Sequence, residues 1–401
     1  MQVIVAGGGP AGAIAAGTLA ANGIRAILFE KNLTNDKTCA GGIPSALVND
    51  FDLPDAIIHQ KCGKVRFKGP SGIEVLLEFP PGGYLATVRR NEFDSYLRKW
   101  AQDKGVIIEQ NEVFSFEETS GGIKVNYKDT DKRDLWAKAD YLIGADGAVS
   151  RIARLLRTSR LEYVTSMQEY IRPNPDGLAH WNEIAELHYS SDVSPDYYAW
   201  IFPHRNYVSI GVGTHYDNAK KITEYLERIK KLNSKWLDGG ETIGKGAAQI
   251  PSTTYKDPAR GKIFLVGDAA GFVLPGCGEG IYYAMKSGQF AAEAIIDSHR
   301  MGHSNPAHTY NRKCEREFSP SFRYFKRVEK LAFKNDFTRE LFVRYCEVPN
   351  AADSFLNVFS LKKRKTHSTP VSKIKRVIAL NRIRNEIKKE GKFVNDTQGK
   401  I

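Results

Sequence analysis

No run of 18 or more apolar residues occurs anywhere in the 401-residue sequence, so no segment has the length and hydropathy of a membrane-spanning helix. No charged leader or cleavage-site pattern precedes residues 2–6, which already read as a strand. A secretory signal is therefore not expected, and a cytoplasmic location is. Cysteine is scarce: Cys39, Cys62, Cys277, Cys314 and Cys346 are scattered with no CxxC spacing. That pattern excludes a disulfide framework, argues against a metal site, and suits a reducing compartment. Internal repeats, low-complexity segments and nucleic-acid-binding motifs are also missing, so no nucleic acid is expected as partner.

What remains is an ordinary globular composition, 42% hydrophobic and 26% charged. At about 150 residues per domain, two to three domains are expected. The net charge of +12 is uneven. Between Leu361 and Phe393 twelve Lys or Arg and two Glu give 12 − 2 = +10. Within that stretch Ile374, Val377, Ile378 and Ile387 alternate with Lys373, Lys375, Arg376, Arg382, Arg384, Lys388 and Lys389. Such a basic amphipathic pattern suits a helix lying on anionic lipid, which makes the membrane surface an alternative location. It equally suits a solvated helix packed on its own domain.

The most informative stretch is Gly7-Gly8-Gly9-Pro10-Ala11-Gly12. It follows an apolar strand and opens an Ala-rich helix. A second strand, Arg25 to Phe29, then ends at Glu30, 18 residues past Gly12. Gly7 permits a tight turn, Gly9 lets backbone approach a pyrophosphate, and Gly12 lets the helix pack on the strand. The free amides at the start of the helix, Ala11 among them, suit phosphate charge. Glu30 stands about where a ribose-hydroxyl acceptor is expected. A Gly-rich turn with no ligand is the plainer alternative.

Two later stretches repeat the theme of a strand ending in an acid among small residues. Leu142-Ile143-Gly144-Ala145-Asp146-Gly147 is followed by Ser150 and Arg151. Phe264-Leu265-Val266-Gly267-Asp268-Ala269-Ala270-Gly271 is followed by Pro275 and by Gly278-Glu279-Gly280. Each acid suits a ribityl or ribose hydroxyl, and the run opening a helix at Gly280 can offer amides to a flavin ring edge. Each is also compatible with a simple strand–helix turn. Glu279 is read as a helix cap or a proton donor.

Together these three motifs resemble the FAD-dependent group with the para-hydroxybenzoate-hydroxylase-like fold. Arg90-Asn91-Glu92-Phe93-Asp94 looks like that group's arginine-bearing helix start. The resemblance implies FAD rather than NAD, and it places an adenine-side backbone contact at Val113. More narrowly, the chain is similar to geranylgeranyl reductases, nearest the chlorophyll-type branch. Cys39-Ala40-Gly41-Gly42-Ile43-Pro44 looks like that family's Cys-Gly-Gly loop beside the flavin. Tyr198-Ala199-Trp200-Ile201-Phe202-Pro203 looks like its substrate-cavity motif, followed by Gly211-Val212-Gly213. Gly278-Glu279-Gly280-Ile281-Tyr282 matches its flavin-side loop. The loop departs from the usual Cys-Gly-Gly-Ala, and Cys277 is displaced by one place.

The resemblance implies an α/β fold: a Rossmann-like FAD-binding domain, an inserted antiparallel β-sheet substrate domain and a helical, basic C-terminal region. The expected boundaries are 1–160 with 255–310, then 161–254, then 311–401. It implies that Gly7, Gly9, Ala11, Gly12, Glu30, Cys39, Ala40, Gly42, Arg90, Val113, Asp146, Asp268, Gly280 and Ile281 meet the cofactor. Tyr198, Trp200 and Phe202 would wall a prenyl cavity, although from spacing alone they read equally as one face of a core strand. Cys39 would be the catalytic residue; its alternative is a small buried thiol. A redox link between Cys39 and Cys277 is a further hypothesis, not the favoured reading. The implied reaction is reduction of isolated C=C bonds in a geranylgeranyl chain, carried as a diphosphate or on (bacterio)chlorophyll. NADPH or reduced ferredoxin would be the reductant. An archaeal-type digeranylgeranylglycerophospholipid reductase and an FAD-dependent aromatic hydroxylase or halogenase are the rivals on this fold. The halogenase reading is disfavoured because Tyr198 and Phe202 stand where that group carries Trp and Ile. A flavin-bearing membrane scaffold without turnover is the rival outside enzymes.

Overall fold

Gln2–Ala6 is almost wholly apolar and rich in Val and Ile, the composition of a strand buried on both faces. It takes a central place in a six-stranded sheet ordered Ala259–Arg260, Ile263–Leu265, Tyr141–Gly144, Gln2–Ala6, Arg25–Phe29, Ile107–Glu109. Every pairing is parallel except the two-residue edge strand Ala259–Arg260. The register sets Ile4 beside both Leu142 and Ile27. An antiparallel meander, Glu112–Thr119, Gly122–Lys128 and Asp134–Ala139, accompanies this sheet. The Ala-rich helix Pro10–Ala21 packs against Ile281–Met301. Their approach is close, since a methyl on Gly288 would lie 2.2 Å from the Ala11 carbonyl oxygen.

The computed structural model describes residues 1–156, 159–302, 305–348, 351, 356 and 370–393. They form two compact units. The first joins Met1–Lys37, Arg90–Tyr163 and Gln249–Phe325. The second joins Thr38–Arg89, Val164–Ala248 and the described residues from Lys326 on. This division differs from the expected one in two ways. Residues 38–89, expected with the nucleotide turn, group with the second unit. The expected C-terminal region is not separate: 311–325 go with the first unit and later residues with the second.

The second unit is built on a seven-stranded sheet ordered Glu241–Pro251, Tyr163–Arg172, Val208–His215, Ala199–Pro203, Ile184–His188, Lys64–Lys68, Glu74–Glu78. The expectation of an antiparallel sheet needs one correction. Ile184–His188 runs parallel to Lys64–Lys68, a segment from a distant part of the chain. On one face Ala199, Ile201, Val208, Ile210 and Val212 pack with Ile222, Tyr225, Leu226 and Ile229 of the helix Ile222–Leu232. Strand side chains alternate between faces, so Tyr198, Trp200 and Phe202 belong to the face away from that helix.

The helix Pro370–Glu390 forms where the basic pattern predicts it, but its apolar residues divide between two sides. Ile383 and Ile387 are buried with Phe337, and Leu341, Tyr345, Val348 and Phe393 pack against them. Val377 and Ile378 are exposed. Ile387 is thus not part of a free apolar stripe; at 100° per residue it lies opposite Ile378. Among the described residues no helix is long and apolar enough to cross a membrane.

Candidate active site

In the first unit the Gly-rich turn is fixed by contacts that leave no room for side chains. Gly7 has φ +110° and donates its N–H to Phe29 O at 2.7 Å. A methyl on Gly12 would stand 1.9 Å from the Gly7 carbonyl oxygen. Gly9, the residue before the helix, is different: nothing lies within 4 Å of the place its Cβ would occupy. No acid occupies the first turn of that helix and no side chain caps it. The open space at Gly9 thus adjoins the start of the helix, where backbone amides and the positive end of the dipole have no acid or side-chain cap to serve. That cradle fits a pyrophosphate. Glu30 accepts Gly8 N–H at 2.6 Å through one oxygen and Asn32 N–H at 2.9 Å through the other. A carboxylate has about four acceptor positions, so capacity for sugar hydroxyls is left.

Three residues one helical turn apart brace this region from the helix Arg90–Asp103. Arg90 is buried and grips Asp94 with two bonds of 2.9 and 2.8 Å. Arg98, also buried, donates to Gly8 O at 3.2 Å and to Leu33 O at 2.8 Å, tying the glycine turn to the loop after the second strand. The sequence reading missed Asp94 and Arg98 as site residues. The signal was the i, i+4, i+8 spacing from Arg90, which puts all three on one face.

The two acid-bearing turns do different jobs. Asp268 opens the short turn Gly267–Ala270 and meets Lys37 Nζ at 2.7 Å. Burial resists its ionisation, but Lys37, with Arg90 adding its charge, holds the carboxyl below the usual range. Asp146 is taken up by its own chain. It accepts Ser150 Oγ–H at 2.5 Å, Arg151 N–H at 2.7 Å and Ile152 N–H at 3.2 Å, so it caps the helix Arg151–Leu156. Burial keeps its pKa above the ordinary value despite these bonds. Val113 is buried in the meander, opposite Tyr127.

Gly280 precedes the helix Ile281–Met301. Glu279 accepts the Tyr282 N–H at 2.8 Å, which makes it a cap. Burial raises its pKa to about 7, against the pull of the Tyr282 and Ile281 amides. Burial, and then the nearby Glu279 charge, push the Cys277 thiol to about 12. Cys39 and Cys277 are both free thiols and belong to different units.

In the second unit the structure brings the Cys39 loop and the aromatic strand together. Trp200 pairs with Gly211, which pairs with Gln168, and Phe202 pairs with Ser209, which pairs with Tyr170. Cross-strand partners share a face, so these rows form one surface with Tyr198. Gly211 makes room for the indole: a methyl there would be 2.3 Å from Trp200 Cζ2. A methyl on Gly42 would be 2.8 Å from the Phe202 ring. Gln168 Nε2 and Tyr170 Oη donate to the Cys39 carbonyl at 3.0 and 3.1 Å. His204 Nε2 lies 3.2 Å from the Ala40 carbonyl oxygen, and Gly41 N–H points at Cys39 Sγ at 3.3 Å. Tyr198 and Trp200 are buried, and Tyr198 stacks on Tyr197 with ring centroids 4.5 Å apart. Gln168, Tyr170 and His204 were not foreseen as site residues. Nothing in their local sequence links them to a cysteine more than 120 positions away.

Residues 52–318, well over half of the chain, match the family model of an FAD binding domain. A geranylgeranyl diphosphate reductase of Synechocystis sp. is 35% identical over 360 residues, covering 86% of this chain and 88% of the relative. A digeranylgeranylglycerophospholipid reductase of Methanocaldococcus jannaschii is 30% identical over 305 residues, 73% of this chain and 76% of the relative. Among solved structures, a geranylgeranyl bacteriochlorophyll reductase-like protein of Thermoplasma acidophilum superposes with a TM-score of 0.78 at 20% identity, covering 97% of this chain and 98% of that one. At that identity the likeness is one of fold.

Proposed function

The chain belongs to the geranylgeranyl reductase family of FAD-binding proteins, and from that premise we propose a role for each part of its site. Its activity is FAD-dependent reduction of C=C bonds in a geranylgeranyl chain. The observation that carries the reading is the second unit's sheet face, where Phe202 and Trp200 lie beside the Cys39–Gly42 loop. An aromatic, water-poor wall beside a thiol is what alkene reduction asks of a protein.

The Gly7, Gly9, Ala11 and Gly12 backbone would hold the pyrophosphate of FAD, with Glu30 on a ribose. Arg90, Val113, Asp146, Asp268, Gly280 and Ile281 would meet the rest of the cofactor, and Cys39, Ala40 and Gly42 would contribute to the flavin's surroundings. Reduced FAD supplies the hydride when bound. An isolated alkene offers no carbonyl to polarise, so the protein's contribution is chiefly alignment and exclusion of water. Tyr198, Trp200 and Phe202 orient the prenyl chain. A proton must reach the second alkene carbon, and Cys39 is our candidate to deliver it. The Gly41 N–H donates to its sulfur at 3.3 Å and so orients it.

The substrate is a geranylgeranyl group carried as the diphosphate or esterified to (bacterio)chlorophyll. NADPH or reduced ferredoxin restores the flavin, and the chain's net charge of +12 favours an acidic protein donor. Exposed Val377 and Ile378 beside Arg376 support peripheral contact with an anionic membrane. The test is flavin reoxidation without oxygen. Bleached, dithionite-reduced holoprotein freed of excess reductant should regain its yellow absorbance on adding geranylgeranyl diphosphate under argon. Reoxidation only when air is admitted together with an aromatic substrate would favour the hydroxylase reading instead.

A further inference from the structure

The Cys39 loop is held by side chains from the sheet, not by its own sequence. Gln168 is 1% exposed and makes two bonds of opposite sense. Its Nε2 donates to the Cys39 carbonyl at 3.0 Å, and its Oε1 accepts the Ser209 hydroxyl at 3.3 Å. Ser209 Oγ in turn accepts the Trp200 indole N–H at 3.3 Å. A continuous line of donors therefore runs from Trp200 through Ser209 and Gln168 to the peptide of Cys39. Tyr170 Oη supplies a second bond to the same carbonyl at 3.1 Å.

His204 holds the next carbonyl. The Ala40 oxygen can only accept, so the proton sits on His204 Nε2, 3.2 Å away. Nδ1 is then a bare acceptor, buried and without a hydrogen-bond partner. Burial and the neighbouring His59 lower the ring's pKa to about 3, which keeps His204 neutral. The ring is wedged by Tyr207, stacked at 4.4 Å and 7°, and by His59 edge-on at 5.4 Å. Gly41 then turns with φ +77°, where a methyl would strike the Val88 carbonyl oxygen at 2.0 Å. With two successive carbonyls held and the Gly41 carbonyl accepting the Val88 N–H at 2.9 Å, the amide of Gly41 is aimed at Cys39 Sγ.

We infer that Gln168, Tyr170 and His204 are positioning residues that clamp the Cys39–Ala40 peptides and so set where the Cys39 thiol points. Ser209 and Trp200 complete the clamp by fixing the Gln168 amide. None of the three needs to touch substrate. They act through Cys39, and their effect on catalysis rests on the reading that Cys39 serves the reduction.

The experiment uses full-length, FAD-loaded protein. Gln168→Met with Tyr170→Phe removes both donors to the Cys39 carbonyl at little change in volume. The first readout is the rate at which iodoacetamide alkylates Cys39, followed by peptide mass spectrometry. The double variant should alkylate about tenfold faster, as the freed loop exposes its thiol. The second readout is turnover of geranylgeranyl diphosphate. A misplaced group lowers the rate of the bound complex, so kcat should fall about tenfold or more while KM stays near wild type. His204→Phe should act likewise, and His204→Gln, which keeps a donor within reach of Ala40, should restore both values. Should the double variant fail to fold, Ser209→Ala and Tyr170→Phe alone must each show a smaller change of the same sign. Wild-type alkylation and wild-type kcat in the folded variants would overturn the clamp. An absence of prenyl turnover in the wild type would instead overturn the proposed reaction and leave the alkylation test standing.

Discussion

An added methyl separates the two roles of glycine in the nucleotide turn. At Gly12 it would meet the Gly7 carbonyl oxygen at 1.9 Å. Gly12→Ala should therefore cost roughly 1–3 kcal/mol of stability and abolish FAD binding together. At Gly9 the φ of −74° suits any residue and the space is open. Gly9→Ala should leave the Tm of the FAD-free protein unchanged and raise the dissociation constant for FAD at least tenfold; titration by flavin fluorescence checks this. Glu279 makes a third prediction. Its folded pKa of about 7 lies above the ordinary 4.5, so the folded state binds the proton more tightly. The stability this confers is full below pH 4.5 and is lost as pH rises to 7. Glu279→Gln mimics the protonated acid throughout. Urea unfolding should find it equal to wild type near pH 4.5 and more stable by up to roughly 3 kcal/mol at pH 8. A gap that does not widen with pH would contradict this. At this scale the tight turn at Gly7 was legible, because turn chemistry is local. Arg98, Gln168 and His204 were not, because each serves a backbone carbonyl brought near only by the fold.

At the scale of elements, Ala199–Pro203 shows why period two alone leaves a choice open. Both of its faces are filled. Ile201 faces the helix Ile222–Leu232, and Trp200 faces the rows of Gln168 and Tyr170. Spacing alone could not tell a core face from a site face; our reading of the second as a site face rests on the Cys39 loop lying against it. The parallel pairing of Ile184–His188 with Lys64–Lys68 was hidden for a related reason, since strand composition does not name a partner more than 100 residues away. The helix Pro370–Glu390 offers the test at this scale. Ile387 is 1% exposed, and Ile387→Ala should destabilise by about 2–5 kcal/mol. Val377→Ser with Ile378→Ser should leave Tm unchanged yet weaken binding to phosphatidylserine vesicles several-fold in a sedimentation assay. If the vesicle affinity does not move, that helix is not the membrane contact.

Over the whole molecule, both units are assembled from segments far apart in the chain. The α/β class and the parallel nucleotide sheet could be read from three strand-to-glycine turns. The unit boundaries could not, because within residues 38–89 the strand Lys64–Lys68 pairs with Ile184–His188, more than 100 residues later. The central claim is that this chain saturates isolated prenyl double bonds with electrons from FAD. The most direct test is the mass of the product. Holoprotein, dithionite and geranylgeranyl diphosphate are incubated under argon, beside parallel samples holding geranylgeranyl-chlorophyll and digeranylgeranyl phospholipid. The account predicts prenyl groups heavier by successive pairs of hydrogen atoms in the diphosphate or chlorophyll sample, none without FAD. Unchanged masses in every sample, from protein that binds FAD, would contradict it.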